Sequence, residues 1–177
     1  MDGATLEFAH SIIGRFPFLD GVAVFFASYL PYLFMAAFVV VLFTPRAFSE
    51  TTPLLSKKRR LQFILMTLLA IIIASGIVLP AIRYGYGRMR PFVEFGWTPL
   101  TAHDTTPSFP SAHATMLFTL AASIWQLNKK WGYWFFACAL LVGIARVYSL
   151  VHYPTDILCG ALIGIFAVYF VSRISRF

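Results

Sequence analysis

Charged residues punctuate this chain at long intervals, and the intervals are apolar. Between Asp20 and Arg46 lie 25 uncharged residues, between Arg60 and Arg83 another 22, and between Asp104 and Lys129 another 24. At ~1.5 Å per helical residue, each run is long enough to cross a hydrocarbon core of ~30 Å. Residues 131–151 form a run of 21 interrupted by Arg146 alone, and residues 157–172 a run of 16 that follows Asp156. Both read as spans whose polar ends are put to use. The beginning of the chain differs: Leu6, Ile12 and Ile13 interleave with Asp2, Glu7, His10 and Arg15, the pattern of an interfacial amphipathic helix rather than a sixth crossing. The first long apolar run exceeds a signal-peptide core and follows no basic start, so it reads as a retained span. The pattern therefore predicts an all-α, polytopic membrane helix bundle with about five transmembrane helices plus an N-terminal amphipathic helix. Residues 1–177 read as one membrane-embedded domain, with 1–20 at the interface.

Composition agrees and removes alternatives. Of 177 residues, 59% are hydrophobic and only 12% charged, about half the charged share of an ordinary soluble domain. Collagenous, disordered and disulfide-rich classes fail on the same numbers. Cys138 belongs deep in the fourth span and Cys159 near the outer end of the fifth, ~15 Å apart in height at helical rise, so they read as packing residues rather than a disulfide.

The net charge of +7 takes its meaning from position relative to the bilayer, and implies no nucleic acid. With five spans and an outside N-terminus, the inner side receives Arg46, Lys57, Lys58, Arg59, Arg60, Lys129, Lys130, Arg173 and Arg176 against Glu50 alone, a balance of +8. The positive-inside rule favours this orientation. The outer side sums to −1, yet it holds Arg83, Arg88, Arg90 and Arg146, which need another explanation.

These arginines fall in three segments at the outer ends of spans two to five. Arg83 to Pro91 leaves the second span, Pro110-Ser111-Ala112-His113 enters the third, and Arg146 to Asp156 joins the fourth to the fifth. Ionisable groups at a membrane level are costly and mark a functional site by default. Taken singly, each has a plainer reading: an arginine as a snorkelling headgroup anchor, His113 as a satisfied polar residue near a helix start, His152 with Asp156 as a structural pair. A zinc site is not favoured by the His and Asp spacing.

The three segments together resemble the signature of the type 2 phosphatidic acid phosphatases, relatives of the vanadium haloperoxidases: KxxxxxxRP, PSGH and SRxxxxxHxxxD. The chain supplies Arg83 with Arg90-Pro91, Pro110-Ser111-Ala112-His113, and Ala145-Arg146 with His152 and Asp156 at the family spacing. It departs in Arg for Lys at 83, Ala for Gly at 112 and Ala for Ser at 145. The planar guanidinium at 83 is a fork where the family has a point charge. The resemblance implies that Arg83, Arg90, Ser111, Ala112 and Arg146 bind substrate phosphate and that His113, His152 and Asp156 are catalytic, with no metal and no cofactor. Arg88 has no family counterpart and reads as a headgroup contact or salt-bridge partner. His10 and His103 read as bystanders, and Tyr84, Tyr86, Phe92, Phe95 and Trp97 as an interfacial aromatic belt.

The residue types suit the chemistry independently of the family. A metaphosphate-like transition state spreads negative charge over oxygens that paired guanidinium donors can clamp. Neutral imidazole at His152 can attack phosphorus, and Asp156 can accept its other N–H and fix the tautomer. His113 is placed to protonate the departing oxygen and later to activate water. With loops too short for a soluble substrate domain, a lipid presented by the bilayer is the expected substrate and partner. The resemblance is to bacterial undecaprenyl diphosphate phosphatases above all, acting on the non-cytoplasmic face of the cell membrane. Phosphatidylglycerophosphate, phosphatidic acid and lipid A 1-phosphate are the alternative substrates. A catalytically silent lipid-phosphate binder or anion transporter is the reading from another class, although the charges cluster at one face and no internal repeat is evident.

Overall fold

The computed structural model describes residues 2–44 and 53–175, with backbone only for 53–56. Arg46, Glu50 and Arg176, part of the inner charge pattern, lie outside the described residues. The described elements are α1 (Asp2–Ile12), α2 (Pro17–Phe43), α3 (53–85), the single turn α4 (Pro91–Glu94), α5 (Ala112–Leu127), α6 (Lys129–Tyr148) and α7 (Pro154–Ser175). Four helices, namely α2, the stretch Lys57–Gly85 of α3, α6 and α7, are long and apolar enough to cross a membrane. The expected third span differs. Only 16 of its residues are helical, as α5, while 105–111 form loop. Length is not critical there, because α5 is the centre of the bundle: residues 117–124 are all buried. It packs against α2, α3, α6 and α7 and meets protein where the others meet lipid.

A central helix can carry polar residues if each is satisfied internally. Thr115, Thr119 and Ser123 are fully buried, and each hydroxyl donates to the carbonyl four residues earlier, at 3.0, 2.7 and 3.0 Å. Against this stripe lies α7, brought close by Gly160 and Gly164. A methyl group at 160 would lie 2.7 Å from the Ser111 carbonyl oxygen, and one at 164 would lie 2.5 Å from that of Thr115. The seam is thus a small-residue helix contact of the kind membrane bundles use, and it fixes the N-terminal ends of α5 and α7 against each other.

Two prolines loosen the other spans. Wide π-type turns occupy Phe25–Tyr29 and Ile72–Val78, immediately before Pro31 and Pro80. A proline cannot donate to the carbonyl four residues back, so Pro31 leaves the Ala27 carbonyl without its helical partner.

The short α1 does not cross. It lies on the end of the bundle where α6 turns into α7, with Leu6 fully buried against Leu150 and Tyr153, and Ala9 buried in the same cluster. The expected amphipathic character is used against protein as well as interface. Trp97, from the expected aromatic belt, stacks with His10 at 4.3 Å and with Phe95 at 4.5 Å. Tyr84, Tyr86 and Phe95 are exposed, as a belt requires. Both cysteines are free.

Candidate active site

Local backbone chemistry explains the spacing from Arg146 to His152. At the end of α6, the Val151 N–H donates to the Arg146 carbonyl at 3.2 Å and the Leu150 N–H to that of Val147 at 3.0 Å. This is a Schellman cap, and Leu150 takes its left-handed position at φ 63° where glycine is usual. The strain, about 1–3 kcal/mol for such a residue, is held by burial of the Leu150 side chain and by its carbonyl accepting the Phe92 N–H at 3.2 Å. The reversed chain then delivers His152, and Pro154 starts α7 so that Asp156 falls in its first turn.

His152 and Asp156 are both buried and form one unit. His152 Nδ1 lies 3.3 Å from Asp156 Oδ2, which also accepts the Tyr153 N–H at 2.9 Å. On the other ring edge, Arg90 Nη1 lies 3.3 Å from His152 Nε2. Guanidinium only donates, so Nε2 is the acceptor and Nδ1 carries the proton toward Asp156. Burial, together with the charges of Arg146 and Arg90, holds the His152 imidazole well below the ordinary histidine value. It is therefore neutral and has the free-base nitrogen that nucleophilic attack needs.

Three arginines surround this pair. Arg83 Nη2 donates to the Pro110 carbonyl at 3.1 Å, joining the end of α3 to the start of α5. Arg90 Nη1 also donates to the Val151 carbonyl at 3.0 Å, and Arg146 Nη1 reaches the freed Ala27 carbonyl at 3.2 Å. Each of the three keeps a buried Nε–H with no hydrogen-bond partner. Buried unpaired donors are costly and rare, and three on cationic groups around one imidazole form a site prepared for an anion.

The start of α5 is arranged less simply than its sequence suggests. Ser111 Oγ caps the helix by accepting the Ala114 N–H at 3.4 Å, and the Ser111 N–H donates to the Asp156 carbonyl at 3.1 Å. The Ser111 N–H is thus committed to α7, and its hydroxyl proton is the donor that remains. The N–H groups of Ala112 and His113 stand in the unpaired first turn. His113 is half-buried and its ring has no hydrogen-bond partner among the described residues, although it lies in the field of Arg146, His152 and His103.

The loop between α4 and α5 brings in residues that the sequence did not mark. Arg146 Nη2 lies 2.5 Å from His103 Nε2, and His103 Nδ1 lies 3.2 Å from Asp104 Oδ1. Arg90 Nη2 donates to Thr106 Oγ1 at 3.1 Å, which donates to the same Asp104 oxygen at 2.6 Å. His103 is thus no bystander; its ring stands edge-on to His152 with centroids 6.1 Å apart. Arg88, expected to be a headgroup contact or salt-bridge partner, is a salt-bridge partner, paired with Asp2 and Asp156. No three His, Cys, Asp or Glu side chains converge as a metal site among the described residues.

Comparison with known proteins shows the family and the fold. Residues 61–177 match the PAP2 superfamily. The chain is 30% identical over 168 residues to the bacitracin transport permease protein BcrC of Bacillus licheniformis, covering 93% of this chain and 76% of that protein. It is 27% identical over 157 residues to the undecaprenyl-diphosphatase BcrC of Bacillus subtilis, covering 89% and 75% respectively. Its fold is similar to the crystal structure of Aquifex aeolicus LpxE, with a TM-score of 0.71 and 26% identity, covering 95% of this chain and 94% of the other.

Proposed function

Because the chain belongs to the PAP2 superfamily, we propose that it hydrolyses undecaprenyl diphosphate to undecaprenyl phosphate and inorganic phosphate, with residues 1–177 acting as one membrane-embedded catalytic domain. The observation that carries the reading is the set of three buried, unpaired arginine Nε–H groups around the neutral His152–Asp156 pair. The similarity to an undecaprenyl-diphosphatase along most of both chains supports the choice of lipid.

In this mechanism Arg83, Arg90 and Arg146 hold the terminal phosphate, with the hydroxyl of Ser111 and the N–H of Ala112 beside them. His152 Nε2 bonds to phosphorus while the bridging P–O bond breaks and its electron pair leaves with the lipid monophosphate. Asp156 accepts the Nδ1 proton in a hydrogen bond and balances the positive charge on the phosphorylated ring. His113 protonates the leaving oxygen, then takes a proton from the water that attacks phosphohistidine, releasing phosphate and restoring His152.

The name of the Bacillus licheniformis relative keeps a transport reading in view. Transporter sites lie near the bilayer midplane between repeats, whereas Arg83, His113, Arg146 and Asp156 lie at the ends of α3, α5, α6 and α7. We further propose that this end faces outward from the cell membrane, from the basic residues Lys57, Lys58, Lys129, Lys130 and Arg173 at the opposite end.

The deciding experiment measures phosphate release by the purified chain in liposomes from undecaprenyl diphosphate, phosphatidylglycerophosphate, phosphatidic acid and lipid A 1-phosphate. Highest kcat/KM on the diphosphate, unchanged by EDTA, is expected. Preference for another lipid would replace the substrate, and no release from any would remove the phosphatase reading. Cysteine labelling at Thr105 from outside and at Lys130 from inside is expected for the orientation; the reverse pattern would invert it.

A further inference from the structure

We propose that Arg88 is a positioning residue for the nucleophile, acting through Asp156 and held in place by Asp2 of the N-terminal helix; the inference rests on the phosphatase reading. Asp156 is fully buried, and its Oδ2 is occupied by the His152 ring and the Tyr153 N–H. Its other oxygen, Oδ1, receives Arg88 Nη1 at 3.2 Å. The rest of that guanidinium is spent away from the phosphate clamp. Nη1 also donates to Thr155 Oγ1 at 2.8 Å, Nη2 donates to Asp2 Oδ2 at 3.0 Å, and the guanidinium carbon lies 3.5 Å over the Tyr153 ring. Thr155 Oγ1 closes the circuit by donating to Asp2 Oδ2 at 2.5 Å.

This arrangement does two things that the reaction requires. A buried carboxylate beside a neutral imidazole is favoured to take up a proton unless a cation compensates it. Arg88 supplies that cation, so Asp156 remains an acceptor for Nδ1–H and can balance the charge that appears on His152 when Nε2 bonds phosphorus. Contact at Oδ1 also fixes the carboxylate plane, and with it the direction in which Nε2 points. The guanidinium is fixed in turn from α1. Leu6 anchors that helix beneath Leu150 and Tyr153, so residues at the beginning of the chain set the alignment of the nucleophile.

Steady-state kinetics of the full chain on a lipid phosphate test the proposal with Arg88→Gln, Arg88→Lys, Asp2→Asn and the double variant Arg88→Gln/Asp156→Asn. Partners that orient metal-bound histidines are worth about 10- to 100-fold, and the same order is taken for a group that orients His152 through Asp156. That loss is expected in kcat for Arg88→Gln with KM little changed, with partial recovery in Arg88→Lys and a smaller loss in Asp2→Asn. Since groups acting as a unit are not additive, Arg88→Gln is expected to slow Asp156→Asn no further. A raised KM with intact kcat would make Arg88 a direct phosphate ligand and overturn the proposal, as would full additivity with Asp156→Asn. If Arg88→Gln does not fold, unchanged kcat in both Arg88→Lys and Asp2→Asn overturns it. Imidazole ¹⁵N shifts of His152 give a reading independent of turnover: an Nδ1-protonated ring in wild type that becomes mixed in Arg88→Lys supports the proposal, and an unaltered ring opposes it. Absence of phosphate release by wild type would fail the phosphatase reading alone.

Discussion

His152 and His113 are held in opposite ways. His152 is 1% exposed, hydrogen-bonded on both ring edges and backed by a carboxylate that is itself ion-paired. His113 is half-buried at the first turn of α5, with no ring partner among the described residues. A nucleophile must present one nitrogen, unprotonated and aimed, before substrate arrives. A general acid needs its geometry only once a leaving oxygen is there to accept the proton, and apo structures commonly leave such contacts unmade. Under the proposed mechanism, the difference teaches that the fold invests its rigidity in the attacking group and leaves the proton donor to be ordered by substrate.

Replacing each histidine is the strongest way to break that contrast. His152→Ala is expected to abolish turnover together with any acid-labile phosphoenzyme. His113→Ala is expected to lose about 10²- to 10⁴-fold, and less on substrates whose leaving group needs little protonation. Rapid quench with labelled lipid reads both. Label on His113, or near-normal release by His152→Ala, would exchange the roles.

The seam between α5 and α7 keeps the two histidines at one level, so widening it sharpens the comparison next. Gly160→Ala places a methyl group 2.7 Å from the Ser111 carbonyl oxygen and 3.1 Å from the Thr115 nitrogen, backbone atoms that cannot rotate aside. Overpacking of this kind costs about 1–3 kcal/mol, read as a lowered Tm in detergent, and at residue 160 the shift also reaches Ser111 and Asp156. Gly76→Ala is the control, since its nearest neighbour is 4.0 Å away. Equal melting of the two variants would mean that the seam does not depend on glycine.

A third test uses proton affinity. Burial and the nearby guanidinium groups, those of Arg146 and Arg90 foremost, lower the His152 value, so the imidazole stays a free base as pH falls through about 6.5, the ordinary histidine value. The acidic limb of kcat/KM, corrected for the substrate's own titration, is therefore expected below that value. At pH 5.5 an unperturbed nucleophile would be about nine-tenths protonated and the rate about tenfold lower. A limb centred at or above 6.5 would mean that the positive field around His152 does not govern its charge.

Much of this was legible in the sequence, for identifiable reasons. Charge-free runs mark helices that face lipid, because lipid tolerates little else, and the three polar segments stand out against them. The C-terminal boundary of α5 was legible for the same reason. Its N-terminal boundary was legible from Pro110-Ser111-Ala112-His113 rather than from charge, because the charge-free run begins earlier and 105–111 is uncharged loop. The cap that turns Arg146 toward His152 was hidden by Leu150, which stands where glycine signals such a turn. Pro31 did carry a signal: a proline four residues after Ala27 frees the carbonyl that Arg146 takes. Gly160 and Gly164, four apart, likewise marked the seam. His103, Asp104 and Thr106 carried none, since a loop's return path depends on tertiary packing rather than on local spacing.

That loop offers the smallest and finest test. Before substrate binds, the anion nearest Arg90 is Asp104, whose Oδ1 lies 3.6 Å from Arg90 Nη2 and collects hydrogen bonds from Thr106 and His103. Those bonds, the Thr106 hydroxyl foremost, hold the carboxyl below its usual range, so it is charged wherever the enzyme works. A phosphate entering the clamp must share or displace that charge. Asp104→Asn keeps the size and removes the repulsion, so KM is expected to fall a few-fold while kcat, which the proposed mechanism assigns to His152 and His113, stays unchanged. Salt should narrow the gap between variant and wild type, because the carboxylate is exposed and the Debye length is about 8 Å at physiological ionic strength. The measurement is KM on one lipid phosphate at two salt concentrations. A higher KM in Asp104→Asn would reverse the assignment: the carboxylate would then serve the substrate by orienting His103 toward it, and the prepared part of the site would extend beyond the His152 pair into the loop.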